Sequence, residues 1–153
     1  MKRDIGLDEA CHLLEPAVHR TVRAAQLGHG SFVTLSLVNT DGYSTSEYYL
    51  WVYCAGWNVS DRERIMFASE DDRGHIAASV GMLNDLHLES ICIDYPSLSL
   101  SLVFAEGVTM SVVALCSAGY EHWMWRLPSG EWLVAGPGTE LLIEEESTRR
   151  SAG

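Results

Sequence analysis

Basic residues are scarce in this chain: 10 lysines and arginines stand against 21 aspartates and glutamates, a formal net charge of −11 at pH 7. Proteins that bind nucleic acids neutralise phosphates with clustered basic side chains. No basic stripe is present here, so we expect no direct contact with DNA or RNA. An acidic chain favours a basic protein partner, because net charge steers encounter; solubility alone is the other explanation.

Long hydrophobic runs are also missing. No apolar stretch approaches the roughly 20 residues that a membrane-spanning helix needs. The first nine residues hold two basic residues and then acidic ones, where a signal peptide would be apolar. We therefore expect a cytoplasmic protein without membrane contact.

Cysteines are few and scattered, at Cys11, Cys54, Cys92 and Cys116, and none forms a C-x-x-C pair. The common zinc and thioredoxin-like spacings are therefore absent. The last three lie in apolar, strand-like segments. In a reducing compartment we expect four free thiols, with these three buried as small hydrophobic residues.

Recognisable catalytic and cofactor motifs are lacking. The six histidines form no H-x-x-x-H, H-E-x-x-H or H-x-H pair, so metal ligation has no local support. Gly28-His29-Gly30-Ser31 is neither the G-x-S-x-G elbow of a hydrolase nor a phosphate loop, because a strand follows it where both motifs need a helix. We predict no catalytic residue, no metal and no cofactor.

What the chain does contain suits one packed domain. It has 153 residues, of which 47% are hydrophobic, enough to bury a core. We predict a single globular domain over residues 1–143. Residues 144–153 lose their apolar content, which predicts a polar C-terminal tail that frays.

Hydrophobic periodicity predicts an α+β fold that is predominantly antiparallel β. Meander hairpins would form one bent sheet or two packed sheets, with one or two short helices. The helices are expected at residues 7–14, with Asp8 as a candidate cap, and at residues 75–83. Ten strands are expected at residues 21–27, 31–38, 47–57, 64–69, 88–93, 98–104, 108–115, 123–127, 131–135 and 140–143, and a turn at residues 39–42.

Aromatic residues are the most informative feature. In the strand around Trp51, the side chains of Tyr49, Trp51 and Tyr53 share one face, and alternate residues occupy the other. Both faces are apolar, so one belongs to the core and the other is a candidate groove or partner surface. The acidic run of residues 70–72 is a second candidate contact. The predicted protein-binding set is Trp51, Tyr53, Trp57, Glu70, Asp71, Asp72 and Trp123.

The run from Gly28 to Leu35, followed by Leu50-Trp51-Val52-Tyr53-Cys54-Ala55-Gly56-Trp57, resembles a family of small uncharacterised bacterial proteins. Trp123-Met124-Trp125 and Gly136-Pro137-Gly138 are similar too. Such proteins are associated with the immunity proteins of bacterial polymorphic-toxin systems. The resemblance implies toxin neutralisation and brings no catalytic residue.

Two hypotheses follow. The first is a non-enzymatic protein-binding domain, in its concrete form a bacterial immunity protein that neutralises a basic toxin domain. The second is a small-ligand-binding or catalytic β-domain, with an aromatic-lined pocket in which His29 and the acids at 70–72 make polar contacts. A homodimer, with a large apolar interface between copies, is left open.

Overall fold

The structure is a computed structural model that describes residues 1–39 and 47–146. Over these residues the chain forms two antiparallel sheets and two short α-helices, which confirms the predicted fold class and decides it in favour of two packed sheets. The strands are β1 (Lys2–Asp4), β2 (Thr21–Leu27), β3 (Val33–Val38), β4 (Glu47–Val52), β5 (Ala55–Ser60), β6 (Ile65–Ala68), β7 (Leu88–Ile93), β8 (Leu100–Phe104), β9 (Thr109–Ala114), β10 (Trp123–Arg126), β11 (Trp132–Ala135) and β12 (Leu141–Glu144). The helices are α1 (Leu7–Leu14) and α2 (Arg73–Ser79).

Sheet A has the strand order β1-β12-β11-β10-β4-β3-β2, and sheet B has the order β6-β5-β9-β8-β7. The inner faces of both sheets contribute to one continuous core. In sheet A this face includes Leu35, Leu50 and Trp125, and in sheet B it includes Trp57 and Leu102, all buried. The alternation of buried and exposed positions along β4, β5 and β8 is the pattern expected where one strand face meets the core.

The long strand predicted over residues 47–57 is in fact two strands in different sheets. β4 ends at Val52 in sheet A and β5 begins at Ala55 in sheet B. The chain crosses back beside this point, between β9 and β10. The two crossings are bonded together, since the amides of Tyr53 and Cys54 donate to the carbonyls of His122 and Glu121 (3.0 and 3.1 Å).

Two tryptophans also tie the layers together. The Nε1 of Trp57, in sheet B, donates to the carbonyl of Ser31 beside sheet A (2.7 Å). The Nε1 of Trp123, in sheet A, donates to the carbonyl of Leu98 beside sheet B (2.8 Å). Each indole thereby spans the core and satisfies its one polar atom, as buried tryptophans usually do.

The helices lie against the two edge strands of sheet B, α1 against β7 and α2 against β6. α1 has the predicted bounds, but it is preceded by Gly6 and has no side-chain cap, so Asp8 does not cap it. The second helix begins earlier than predicted, because Asp72 caps it by accepting from the Gly74 amide (3.0 Å), and a 3₁₀ turn (Val80–Leu83) follows it.

The predicted tail begins inside a strand. β12 includes Glu144, which is only 4% exposed and pairs with Lys2 of β1. The short strand β1 had no counterpart in the sequence predictions. Residues 147–153 of the expected tail and most of the predicted turn at 39–42 lie outside the described residues.

Candidate protein-binding surface

The outer face of sheet A is apolar at its centre. Strand register aligns Thr34, Trp51, Met124, Val134 and Leu142 across five strands. In the neighbouring row, Tyr49 of β4 lies between Ser36 and Arg126, and Trp132 follows. Met124 and Val134 are each 1% exposed although they point away from the main core, because the side chains around them form a second, smaller cluster.

A continuous set of rings covers part of this face. The Phe32 ring lies 4.8 Å from that of Tyr53 and 6.3 Å from that of Trp51, measured between centroids. Trp51 and Tyr53 meet edge to face at 5.2 Å, and Tyr120 lies 6.5 Å from Tyr53. We call these four rings the aromatic face, together with Tyr49 of the same face of β4, whose ring meets that of Trp132 edge to face at 6.2 Å. Tyr120 is 55% exposed and the other four are half-buried.

The pleat of β4 explains this placement. Side chains alternate along a strand, so burying Tyr48, Leu50 and Val52 in the core directs Tyr49 and Trp51 to the outer side. Tyr48 is fixed there by its hydroxyl, which donates to the Leu13 carbonyl of α1 (3.1 Å). Burial raises the pKa of the Tyr48 phenol above its ordinary value.

The structure corrects two members of the predicted binding set. Trp57 and Trp123 are 3% and 0% exposed and lie in the core, which leaves them without the accessible surface that a partner contact needs. Both share the inner face of their sheet, and both use Nε1 in the cross-layer hydrogen bonds described above. Trp51 and Tyr53 belong to the aromatic face.

The acidic residues of the set lie beside the turn that joins β2 and β3. His29 and Ser31 of this turn, together with Glu70, Asp71 and Arg73, line an open cleft of about 580 Å³. The cleft brings together His29 and two of the three acids that the second hypothesis requires, Glu70 and Asp71, whereas Asp72 does not line it. No ring of the aromatic face lines it, so the aromatic-lined pocket of that hypothesis is not found here.

The turn itself is held firmly. The guanidinium of Arg73 donates to the carbonyls of Gly28 (2.7 Å) and Gly30, and the Gly28 amide donates to Phe32 (2.7 Å). With Trp57 bonded to Ser31, the backbone carbonyls on both sides of His29 have donors from other parts of the fold. The turn therefore links the two regions: Phe32 packs into the aromatic face, and His29 faces the acidic cleft.

The three acids have different roles. Asp72 caps α2, and the Asp71 carboxylate accepts from the Ala68 amide (2.8 Å) and lies 4.0 Å from His75 Nε2. Glu70 is exposed and makes no hydrogen bond or ion pair with the described residues. Of the three, Glu70 is the carboxylate best placed for a partner.

Histidine 122 was not singled out by the sequence, and the structure gives it a structural role. It is fully buried, and its Nε2 donates to the Gly138 carbonyl (2.9 Å). A Cβ at Gly136, whose φ is +91°, would lie 2.8 Å from the imidazole. The glycine is therefore required by the close approach of this ring.

The cysteines are all free thiols, as predicted, but their expected burial is wrong. Cys11 and Cys92 are exposed, and Cys54 and Cys116 are half-buried. Desolvation raises the pKa of the Cys11 and Cys54 thiols, and the neighbouring thiols of Cys92 and Cys116 respectively add to the effect. The error arises because Cys92 occupies the solvent side of β7, and period-two alternation around it does not say which side is inward.

Phe32 and Tyr120 are members of the aromatic face that the sequence analysis missed. Phe32 alternates with Thr34 and Ser36, which indicated the correct strand side but not the contact with β4. Tyr120 lies in the connection between β9 and β10 and reaches Tyr53 only because the two sheet crossings are adjacent. Tertiary structure alone brings these rings together.

Comparison with known proteins gives no match: no family model, no curated protein and no solved structure matches the chain. Within residues 1–39 and 47–146, no cluster of three or more histidine, cysteine, aspartate or glutamate side chains could hold a metal ion. No helix in the same described part of the chain has the length and apolar content needed to span a membrane.

Proposed function

We propose that the protein is a non-enzymatic binding domain that contacts a basic protein partner through the aromatic face and the acidic cleft beside it. The observation that supports this proposal is the contiguous set of half-exposed rings on the outer side of sheet A. Rigid aromatic side chains at the centre of an interface provide much of its binding energy at a small cost in conformational entropy.

Charge supports the choice of a basic partner. The chain has a formal charge of −11, and Glu70 lies in the cleft next to the turn that contributes Phe32 to the aromatic face. A cationic partner would be attracted over about one Debye length, roughly 8 Å at physiological ionic strength. In its concrete form the partner is a basic toxin domain and this protein its bacterial immunity protein, a form that rests on the sequence resemblance.

The test begins with a partner purified by affinity capture from the native host, the product of the neighbouring gene being the first suspect. Stopped-flow binding at two ionic strengths should show association slowing markedly with salt, and dissociation changing far less. An association rate that does not change with salt would show that charge does not steer the binding.

Variants then locate the interface. Trp51→Ala should accelerate dissociation about thirtyfold or more, since central aromatic anchors contribute about 2 kcal/mol or more. The matched control is Tyr95→Ala, which removes an exposed tyrosine (58%) from the β7–β8 hairpin, away from this face. Equal effects of the two substitutions would contradict the proposed location.

The cleft favours a second candidate function, the binding of a small polar ligand, because polar side chains, among them His29, Ser31 and Glu70, line it. A ligand that raises the melting temperature of the wild type and not of His29→Ala would support it. Turnover of a small molecule by the protein alone would contradict the non-enzymatic proposal.

A further inference from the structure

Strand β7 is an edge strand of sheet B, and only part of its outer edge is covered. At its start, the amide of Leu88 donates to Arg20, and its carbonyl accepts from His19 (2.8 and 2.6 Å). Beyond the irregularity in register between Leu88 and Ser90, no backbone bond of the described residues continues this pairing along the strand.

The direction of the free backbone groups follows from the hairpin. The Asp94 amide donates to the Ser99 carbonyl on the β8 side (2.9 Å). Inward and outward hydrogen-bonding groups alternate along an antiparallel strand. The amides and carbonyls of Ile91 and Ile93 therefore point away from β8, toward α1.

A groove of about 440 Å³ lies along this edge, between β7 and α1. Its apolar lining comes from Leu14 and Val18 on one side and from Ile91 and Ile93 on the other. A free strand edge next to apolar side chains is the arrangement that accepts an added strand: the backbone bonds provide affinity, and the flanking side chains select alternate residues of the ligand.

The groove is strongly acidic. Asp8 and Glu15 of the helix side and Glu89 of β7 line it, and no lysine or arginine does. The remaining side chain of the lining that can carry a positive charge is His12, whose Nδ1 lies 3.7 Å from the Glu15 carboxylate. The charge complement of this surface is a cationic ligand.

We propose that the groove between α1 and β7 binds an extended, basic peptide segment of a partner protein, which adds to sheet B as a strand beside β7. Alternate side chains of the segment would be apolar and cover Ile91 and Val18, the two half-buried apolar side chains of the lining. The remaining side chains would be lysine or arginine and meet the three carboxylates. None of these residues belongs to the aromatic face, so the test of this site is independent of the test of the proposed function.

The binding test uses a fluorescein-labelled peptide of alternating lysine and valine, equal in length to the 6 residues of β7. Fluorescence anisotropy should show saturable binding that weakens with salt. Replacing every lysine by glutamate should abolish binding, because the groove would repel the peptide. Two further peptides carry N-methyl groups on alternate backbone nitrogens, one on the odd-numbered and the other on the even-numbered residues. Only the peptide whose methyl groups replace the N–H groups that face β7 should fail to bind, because strand addition needs those donors.

The protein variant is Asp8→Asn, Glu15→Gln and Glu89→Gln combined, all three at exposed positions. The matched control is Glu63→Gln, Glu106→Gln and Glu140→Gln combined, which removes the same charge from exposed positions outside the groove. We expect the first variant to bind the peptide about ten times more weakly, a modest loss for three carboxylates because individual exposed ion pairs are weak. The affinity of the control variant should change by less than about twofold.

Hydrogen exchange supplies a readout that does not depend on charge. On saturation with the lysine–valine peptide, the amides of Ile91 and Ile93 should exchange more slowly, while amides of β6, at the other edge of sheet B, should not change. The proposal is overturned if the peptide does not bind, if the glutamate or both methylated peptides bind equally well, if the two triple variants behave alike, or if these two amides are not protected.

Discussion

The outer faces of the two sheets differ sharply in composition. In sheet B, register aligns Asn58, Ser111, Ser101 and Cys92 across four strands, so the solvent side is made of small and mostly polar side chains. In sheet A, the corresponding side presents Trp51, Met124 and Val134. A two-layer sandwich needs only one apolar face per sheet. The second apolar face of sheet A is therefore not required by the fold, which makes it a candidate interface.

The largest expected effect on stability comes from a core residue on the inner face of sheet A, with which the outer faces can then be compared. Trp123→Ala should lower the free energy of unfolding by about 3–5 kcal/mol, because it empties a fully buried site and leaves the Leu98 carbonyl without its donor. Urea denaturation followed by circular dichroism measures the change. A loss below about 1 kcal/mol would mean that this indole does not connect the two sheets.

The outer faces themselves are compared by Met124→Ala in sheet A and Ser101→Ala in sheet B. Met124 is 1% exposed, so its truncation should cost about 2–5 kcal/mol, whereas Ser101→Ala should stay within about 0.5 kcal/mol. Urea midpoints at an unchanged m-value give both numbers. Similar costs for the two substitutions would show that the faces do not differ in the way the structure indicates.

The aromatic face should matter less for stability than for binding. Trp51 is half-buried, so we expect Trp51→Ala to cost about 1–2 kcal/mol in stability, less than Trp123→Ala. Binding of a hydrophobicity-reporting dye should fall when Trp51 is removed and should be unaffected by Ser101→Ala. A stability loss as large as that of Trp123→Ala would place Trp51 in the structural core.

The smallest effect concerns thiol reactivity. Exposed Cys92, on the outer face of sheet B, should be alkylated faster by iodoacetamide in the native state than half-buried Cys54, beside the aromatic face. Because burial raises the pKa of the Cys54 thiol, less thiolate is present at a given pH, and its alkylation rate should rise only at higher pH than for an ordinary cysteine. Mass spectrometry of timed samples separates the sites, and the denatured, unreduced protein should take up four labels. Equal native rates would contradict the assigned exposures.

Much of the secondary structure was predictable from local pattern. β2, β7 and α1 have the predicted bounds, and most other strands begin or end within two residues of the prediction. The exception is the run at residues 47–57, which was predicted as one strand and forms two. Its buried positions are even-numbered through Leu50 and Val52 and odd-numbered at Ala55 and Trp57. That change of parity marks the crossing between sheets, but an aromatic-rich run hides it when hydrophobicity alone is considered.

The candidate sites were less predictable. Trp51 and Trp57 have the same residue type and lie in one apolar run, yet one is on the outer face and the other is in the core. The α1–β7 groove could not be inferred either, because its walls are separated by about 80 residues of sequence, and because the free edge of β7 exists only by virtue of the strand order in sheet B. Strand order is a long-range property that period-two alternation does not encode.

By itself, then, the sequence determined the acidic charge, the predominance of antiparallel strands, the position of α1 and the presence of an apolar face in excess of a single core, because these depend on composition and on neighbouring residues. Only the tertiary structure decided which tryptophans are buried, that Phe32 and Tyr120 join Trp51 and Tyr53, that Glu70 and His29 line the same cleft, and that β7 keeps an open edge. The physical reason is that burial and hydrogen-bond pairing are shared between segments distant in the chain, so a residue's exposure depends on what packs against it as well as on its own chemistry.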